Sequence, residues 1–114
     1  MNVIKDDIRD AIGKELAGAN EKFPLFGSMH EAIAVIAEER DEAADELLTF
    51  NNNMRSAWAH VKMNADTSFV LRIITRMKFA AEALAIEACQ MSAMCEKAIQ
   101  SAAEWKEGAP DDEN

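Results

Sequence analysis

The sequence predicts an all-α protein, a helical bundle of three to four helices, on three observations. Alanine is the commonest residue, seven methionines are present and tyrosine is absent, a helix-forming composition with few β-favouring side chains. Apolar residues recur at i, i+4 steps rather than alternating. Between residues 66 and 105 the chain holds neither glycine nor proline, so nothing there punctuates a helix.

Each element follows from local signals. Over residues 3–17, Ile4, Ile8, Ile12 and Leu16 form one apolar stripe on a first helix. The segment GANEKFPLFGS, with Pro24 and Gly27, is expected to break it. Ser28 opens S-M-H-E, a capping box in which Glu31 reaches back, and starts a second helix expected to span about 29–50. Three consecutive asparagines at 51–53 favour turns and read as a weak stop. RSAWAHVKM then forms either a short helix or an extension of the second. Asp66 or Thr67 caps the last helix, which at roughly 40 residues would be ~60 Å long. A compact chain of this length is roughly 27 Å across, so that helix must bend, break or extend into a partner chain.

At 114 residues the chain has the size of one domain, taken as 1–107, with room for a real core; 108–114 reads as an acidic frayed tail. The net charge of -9 opposes sequence-independent binding to nucleic acid or an anionic membrane. A small anionic ligand remains compatible where a metal or local Arg/Lys neutralises it. No apolar run approaches the ~18 residues of a bilayer span, and the N-terminus lacks a signal-peptide pattern. Cys89 and Cys95 point in different directions on one helix and match no zinc spacing. Two free thiols in an unexported chain suggest the cytoplasm.

The stretch AVIAEERDEAADEL, residues 34–47, holds six carboxylates in fourteen positions. On a helical wheel Met29, Ile33, Ile36, Ala43 and Leu47 form an apolar sector, into which Arg40 also falls. Glu38, Glu42, Asp45 and Thr49 lie opposite, and Glu39, Glu46 and Val35 on a flank. A carboxylate row opposite an apolar stripe is ordinarily a solvated face. Against that, nearly all the charges are acidic, so a ladder of opposite-charge pairs is missing. Glu38 and Glu42 are like charges at i, i+4, which costs a few tenths of a kcal/mol unless a hard cation reverses the sign.

Residues 79–95, FAAEALAIEACQMSAMC, are apolar nearly all round and therefore expected to be buried on all sides. Phe69, Val70, Ile73, Met77, Ala80, Leu84, Ala88 and Met91 make the main stripe, with Glu87 at its edge. A carboxylate there must be paired, protonated or metal-bound; a partnership with Arg40 and a metal site are both open. Met77, Met91 and Met94 read as core filler. Trp58 and Trp105 could each anchor an interface. His30, in the first turn after the cap, has a local contact as its first reading and a ligand contact as its second; His60 carries less information.

An E-E-x-x-E helix (Glu38, Glu39, Glu42) followed by an acid on a later helix resembles the MazG-like, all-α NTP pyrophosphatase superfamily. Residues 22–47, KFPLFGSMHEAIAVIAEERDEAADEL, look like its small phage and prophage members, and EACQMSAM at 87–94 matches their last helix. The resemblance covers about two thirds of the chain. It implies an intertwined homo-oligomer, dimer or tetramer, and Mg²⁺ (Mn²⁺ as an alternative) held by Glu38, Glu39, Glu42 and Glu87. It implies hydrolysis of a nucleoside triphosphate to monophosphate and pyrophosphate, with Glu39 or Glu42 as catalytic base. Arg72, Arg76 and Lys78, a turn or so upstream of Glu87, are then the nearest cations for the phosphates. Phe23, Phe26 or Trp58 would stack on the base. Active members carry E-x-x-D on the later helix; here Glu87 is followed by Gln90, a poorer ligand and no base. Arg40, Ala43 and Ala44 replace large apolar residues common in the superfamily. A non-hydrolysing nucleotide binder and a helical interaction module are the alternatives.

Overall fold

The computed structural model describes residues 2–105; the acidic segment 108–114 lies outside them. Three helices follow in order, α1 (Asn2–Lys22), α2 (Met29–Lys62) and α3 (Thr67–Ala102), and the described residues hold no strand. The chain is all-α, as its composition predicts. No helix among the described residues is long and apolar enough to cross a membrane.

The boundaries show which local signals acted. α1 runs through Gly18 and ends at Lys22, two residues before Pro24. One glycine costs a helix only about 1 kcal/mol, whereas proline removes a donor and biases the residue before it out of the helical region. At the start of α2 the Ser28 hydroxyl accepts from the Glu31 N–H at 3.2 Å, and Glu31 Oε1 accepts from the Gly27 N–H at 2.7 Å. The capping box is formed with Glu31 reaching one residue further back than the usual pattern.

The expected stop at Asn51–Asn53 does not occur, and α2 continues unbroken to Lys62. The side chains serve the helix instead of competing with it. The Asn53 amide donates to the Thr49 carbonyl at 2.9 Å, and Asn52 Oδ1 accepts from Arg55 at 2.6 Å. The true stop is Asn64, whose φ of 57° is left-handed, a conformation asparagine tolerates. There the Ala65 N–H reaches the His60 carbonyl at 3.0 Å. Thr67 opens α3 with Asp66 before it, and the N–H groups of Phe69 and Val70 both donate to the Asp66 carbonyl.

The described chain divides into two compact units, residues 1–40 with 88–114, and residues 41–87. The second is a hairpin of the C-terminal half of α2 and the N-terminal half of α3. His60 and Phe69 close it, with ring centroids 4.7 Å apart. His60 Nδ1 donates to the Ser56 carbonyl at 2.8 Å; a carbonyl can only accept, so this nitrogen carries the proton. In the first unit, the loop before α2 is fastened to the end of α3 by both polar groups of one peptide-bonded residue. The Phe26 N–H donates to Ser101 Oγ at 2.9 Å, and the Phe26 carbonyl accepts from the Trp105 indole at 3.0 Å. Ser101 in turn donates to the Lys97 carbonyl at 2.7 Å. Trp105 thus has a structural bond of its own.

The core is smaller than the chain length suggests. Its buried apolar side chains are Phe26, Ala32, Ala43, Ala57, Ile73, Ala80 and Ala93. The predicted stripes of α1 and α2 are partly at the surface, with Ile4, Ile8, Met29, Ile33 and Leu47 exposed. That of α3 is mostly covered: Ile73 and Ala80 are buried, Val70, Met77, Leu84 and Met91 half-buried, and Phe69 and Ala88 exposed. Arg40 is exposed as well. Residues 79–95, expected to be covered on all sides, leave Phe79 and Ile86 in solvent, and Leu71, Ile74 and Ile99 elsewhere on α3 are exposed as well.

Replacing Ser101 with alanine removes the acceptor of a buried backbone N–H and should lower stability by about 1–3 kcal/mol. Urea unfolding followed by circular dichroism reads this directly; a midpoint within error of wild type would show that the loop is held otherwise.

Candidate metal centre and adjoining cavity

The acidic residues are placed by helix register. Ile73, Ala80 and Glu87 lie seven residues apart on α3, two turns at a time, and the first two are buried. Glu87 thus inherits the inward face of the helix, and its Oε1 is removed from solvent. On α2, Ala43 is buried and Glu42 stands beside it. In the second unit the ligand oxygens of Glu42 and Glu87 lie within 4.8 Å of each other. Glu39, one turn earlier on the same unbroken helix, has an oxygen within that distance of Glu42. It is half-buried, with its Oε1 out of solvent, whereas Glu42 is exposed. Asp45 and Thr49 are exposed on the same helix, and the Thr49 hydroxyl is used locally, donating to the Asp45 carbonyl at 3.1 Å.

The donor set suits a hard divalent cation. All three groups are carboxylates, the ligands that Mg²⁺, Mn²⁺ and Ca²⁺ take. Oxygens on opposite sides of an octahedral Mg²⁺ stand about 4.2 Å apart, and about 4.6–5.2 Å apart around Ca²⁺, from metal–oxygen distances of ~2.1 and ~2.3–2.6 Å. Oxygens within 4.8 Å need little movement to converge on such an ion.

A second feature belongs wholly to the first unit. A cavity of about 760 Å³ lies among α1, the loop before α2, the first turns of α2 and the C-terminal part of α3, a size within the range of small-molecule pockets. Glu38 and Glu39 line it from α2, Gln90, Met94 and Lys97 from α3, and Lys14, Lys22 and Phe23 from α1 and the following residue. The E-E pair of the acid motif therefore opens on this space, and Glu38 is exposed there.

The other expected ligand contacts divide. Phe23 is exposed at the cavity and free to meet a ring. Phe26 is buried, its backbone is fastened to α3 and its ring lies under Lys97, 4.9 Å from Nζ. It is a wall of the cavity and not an open stacking platform. Trp58 is an exposed side chain of the second unit with Lys62 over its ring at 5.8 Å. His30 is exposed in the first turn of α2. Arg72, Arg76 and Lys78 are exposed, and two of them lean on their own helix, Arg72 over Phe69 at 5.4 Å and Lys78 over Phe79 at 4.7 Å. Lys78, the nearest, precedes Glu87 by nine residues, ~14 Å along the helix, so "a turn or so upstream" is corrected to two and a half turns. The cations that line the cavity are Lys14, Lys22 and Lys97, none of them expected from the sequence, and of the three Lys97 is buried. Its signal was present: Ala93, Lys97 and Ser101 are i, i+4, i+8 on α3 and all three are buried.

Cys89 and Cys95 are free thiols. No protein-family model, curated protein or solved structure matches the chain.

Glu42→Gln separates a solvated face from a cation site. Without divalent ions the change removes like-charge repulsion and should leave the melting temperature equal or slightly higher. With millimolar Mg²⁺ or Mn²⁺ the wild-type temperature should rise, since a ligand of the native state alone stabilises it, and the variant's should not. Equal rises in both proteins would remove Glu42 from the site.

Proposed function

We propose that the chain is a Mg²⁺-dependent nucleoside triphosphate pyrophosphohydrolase of the MazG-like all-α superfamily, working as a homo-oligomer. The observation that carries the reading is the approach of Glu42 and Glu87, from two separate helices, to within 4.8 Å, with Glu39 one turn from Glu42. A purely solvating acid row needs no carboxylate on a second helix facing it. Carboxylate oxygens from two helices at this spacing are the hard donors a divalent cation takes.

In this reading Glu42 and Glu87 hold the cation, with Glu39 one turn from Glu42 as the third ligand. Bound there, the cation supplies charge neutralisation at the phosphate oxygens and a more acidic water. The chain's own groups do the rest. Glu39 or Glu42 accepts the proton of the attacking water. Attack at the α phosphorus breaks its bond to the bridging oxygen, and pyrophosphate leaves with that oxygen. Phe23, at the open side of the cavity, offers a ring face to the base.

The sparse core supports an oligomer. The second unit buries Ala43, Ala57, Ile73 and Ala80, and an alanine methyl contributes only about 0.8 kcal/mol where a large apolar side chain contributes about 1.5–3. Ordering each residue costs about 1–2 kcal/mol in backbone entropy, which so few small side chains do not offset. Leu47, Leu48, Met54, Trp58, Val61, Leu71 and Ile74 remain in solvent on the same hairpin. A second copy of that hairpin would cover them as a four-helix arrangement.

Gln90 supports a second reading, a nucleotide binder that does not hydrolyse. It lines the cavity three residues after Glu87, where active relatives in the superfamily carry an acid. An amide there can hold a ligand by hydrogen bonds but supplies neither a charge nor a base.

Two measurements check the proposal. Pyrophosphate release over a panel of canonical and modified nucleoside triphosphates should require Mg²⁺ or Mn²⁺ and fall at least a hundredfold in Glu42→Gln and in Glu87→Gln. Unchanged turnover in both rules out the metal assignment, and tight binding without turnover selects the second reading. Light scattering at micromolar concentration should give a dimer or tetramer; a monomer removes the oligomer.

A further inference from the structure

Lys97 is the most deeply buried cation of the described chain, at 2% exposure, and it lines the first unit's cavity. Its Nζ has one partner among the described residues, the Phe26 ring at 4.9 Å. A ring face is a weak partner for an ammonium, worth about 0.5–2 kcal/mol, and a buried ammonium ordinarily requires a paired anion or a set of acceptors. The surrounding bonds hold it in place. Ser101 donates to the Lys97 carbonyl and accepts from the Phe26 N–H, so the lysine backbone and the ring beneath its head are tied to one hydroxyl. Lys97 lines the cavity with three ammonium donors, and no acceptor side chain is bonded to them among the described residues.

We infer that Lys97 is the phosphate-binding group of this cavity, and that its ligand is the phosphate chain of a nucleotide-type polyphosphate. The inference rests on the nucleotide reading for the identity of the ligand, and on Lys97 and the cavity alone for the binding of an anion. Lys14 and Lys22, exposed on α1, border the same space and add positive charge at its mouth. Four carboxylates are also there. Glu15, Glu31 and Glu38 are exposed, where salt and water screen them within about 8–10 Å, and Glu31 is engaged with the Gly27 N–H. Glu39 is half-buried and is the one acid of the lining that opposes an anion with little screening. Lys97 acts where screening is weakest. An anion meeting it exchanges a ring face for a charge-assisted hydrogen bond, roughly twice as strong as a neutral one. This assignment moves phosphate recognition from the exposed Arg72, Arg76 and Lys78 to one buried lysine.

The test is calorimetric titration of the full chain with inorganic tripolyphosphate, in EDTA so that no divalent ion contributes. Wild type should bind. Lys97→Met should bind at least tenfold more weakly at unchanged helical content, Lys97→Arg within threefold, and Lys14→Met or Lys22→Met should lose no more than threefold. Amide chemical-shift perturbation in wild type needs no variant. Tripolyphosphate should move Phe26, Gln90, Met94 and Lys97 most. No binding by wild type, unchanged binding by Lys97→Met, or shifts centred on residues 72–78 would each overturn the inference. Mn²⁺ titration without any anion, followed by electron paramagnetic resonance, tests the carboxylate centre separately, so either assignment can fail alone.

Discussion

Ala43, Ala57 and Ala80, with Ile73, are the side chains that the second unit buries, and this use of alanine sets most of what the hairpin can do. Small side chains let two helix backbones approach closely, at distances where the carboxylates beside them also come within reach of one another. Glu42 stands next to Ala43, and Glu87 follows Ala80 by one heptad, so the same register that seats the methyl groups turns both acids inward. The close approach contributes little stability of its own, because a methyl group removes little apolar area from water. An acid cluster and an under-filled core are thus two results of one packing choice.

The first unit solves a different problem. Its loop before α2 contains two exposed large side chains, Phe23 and Leu25, and one buried, Phe26. Phe26 keeps its place by giving its N–H to Ser101 and its carbonyl to the Trp105 indole. Polar groups buried beside α3 are satisfied by this exchange, as buried backbone groups must be. The loop then stands as a wall, and the space it encloses with α1 and α3 is bordered by Glu38 and Glu39 on one side and Lys97 on another.

Much of the chain's one-dimensional order was legible. The Ser28 cap, the Pro24 stop of the first helix and the start of the last helix near Asp66 all rest on interactions within four residues, which sequence displays. The asparagine run was misread for a local reason as well. Propensity assigns asparagine to turns because its amide competes for backbone groups, yet in this helix the Asn53 amide returns to the Thr49 carbonyl and the Asn52 oxygen takes Arg55, so no competition arises. Asn64, about three helical turns further on, does adopt the left-handed conformation.

By itself the sequence determined that the chain is helical, where two of its three helices begin, and that Glu38, Glu39, Glu42 and Glu87 are the acids worth following, because periodicity and capping act within a turn or two. Which of those acids meet was decided by tertiary structure, since Glu42 and Glu87 are 45 positions apart and only the crossing of two helices brings their oxygens together. The buried face was decided there too. A helical wheel ranks faces by hydrophobicity, whereas five of the seven buried apolar side chains are alanines, and many large ones, among them Leu47, Leu71 and Ile86, stay at the surface. Lys97 shows the same limit: its long apolar stem can lie inside while its head reaches a cavity, and no pattern in a single sequence says where that cavity is.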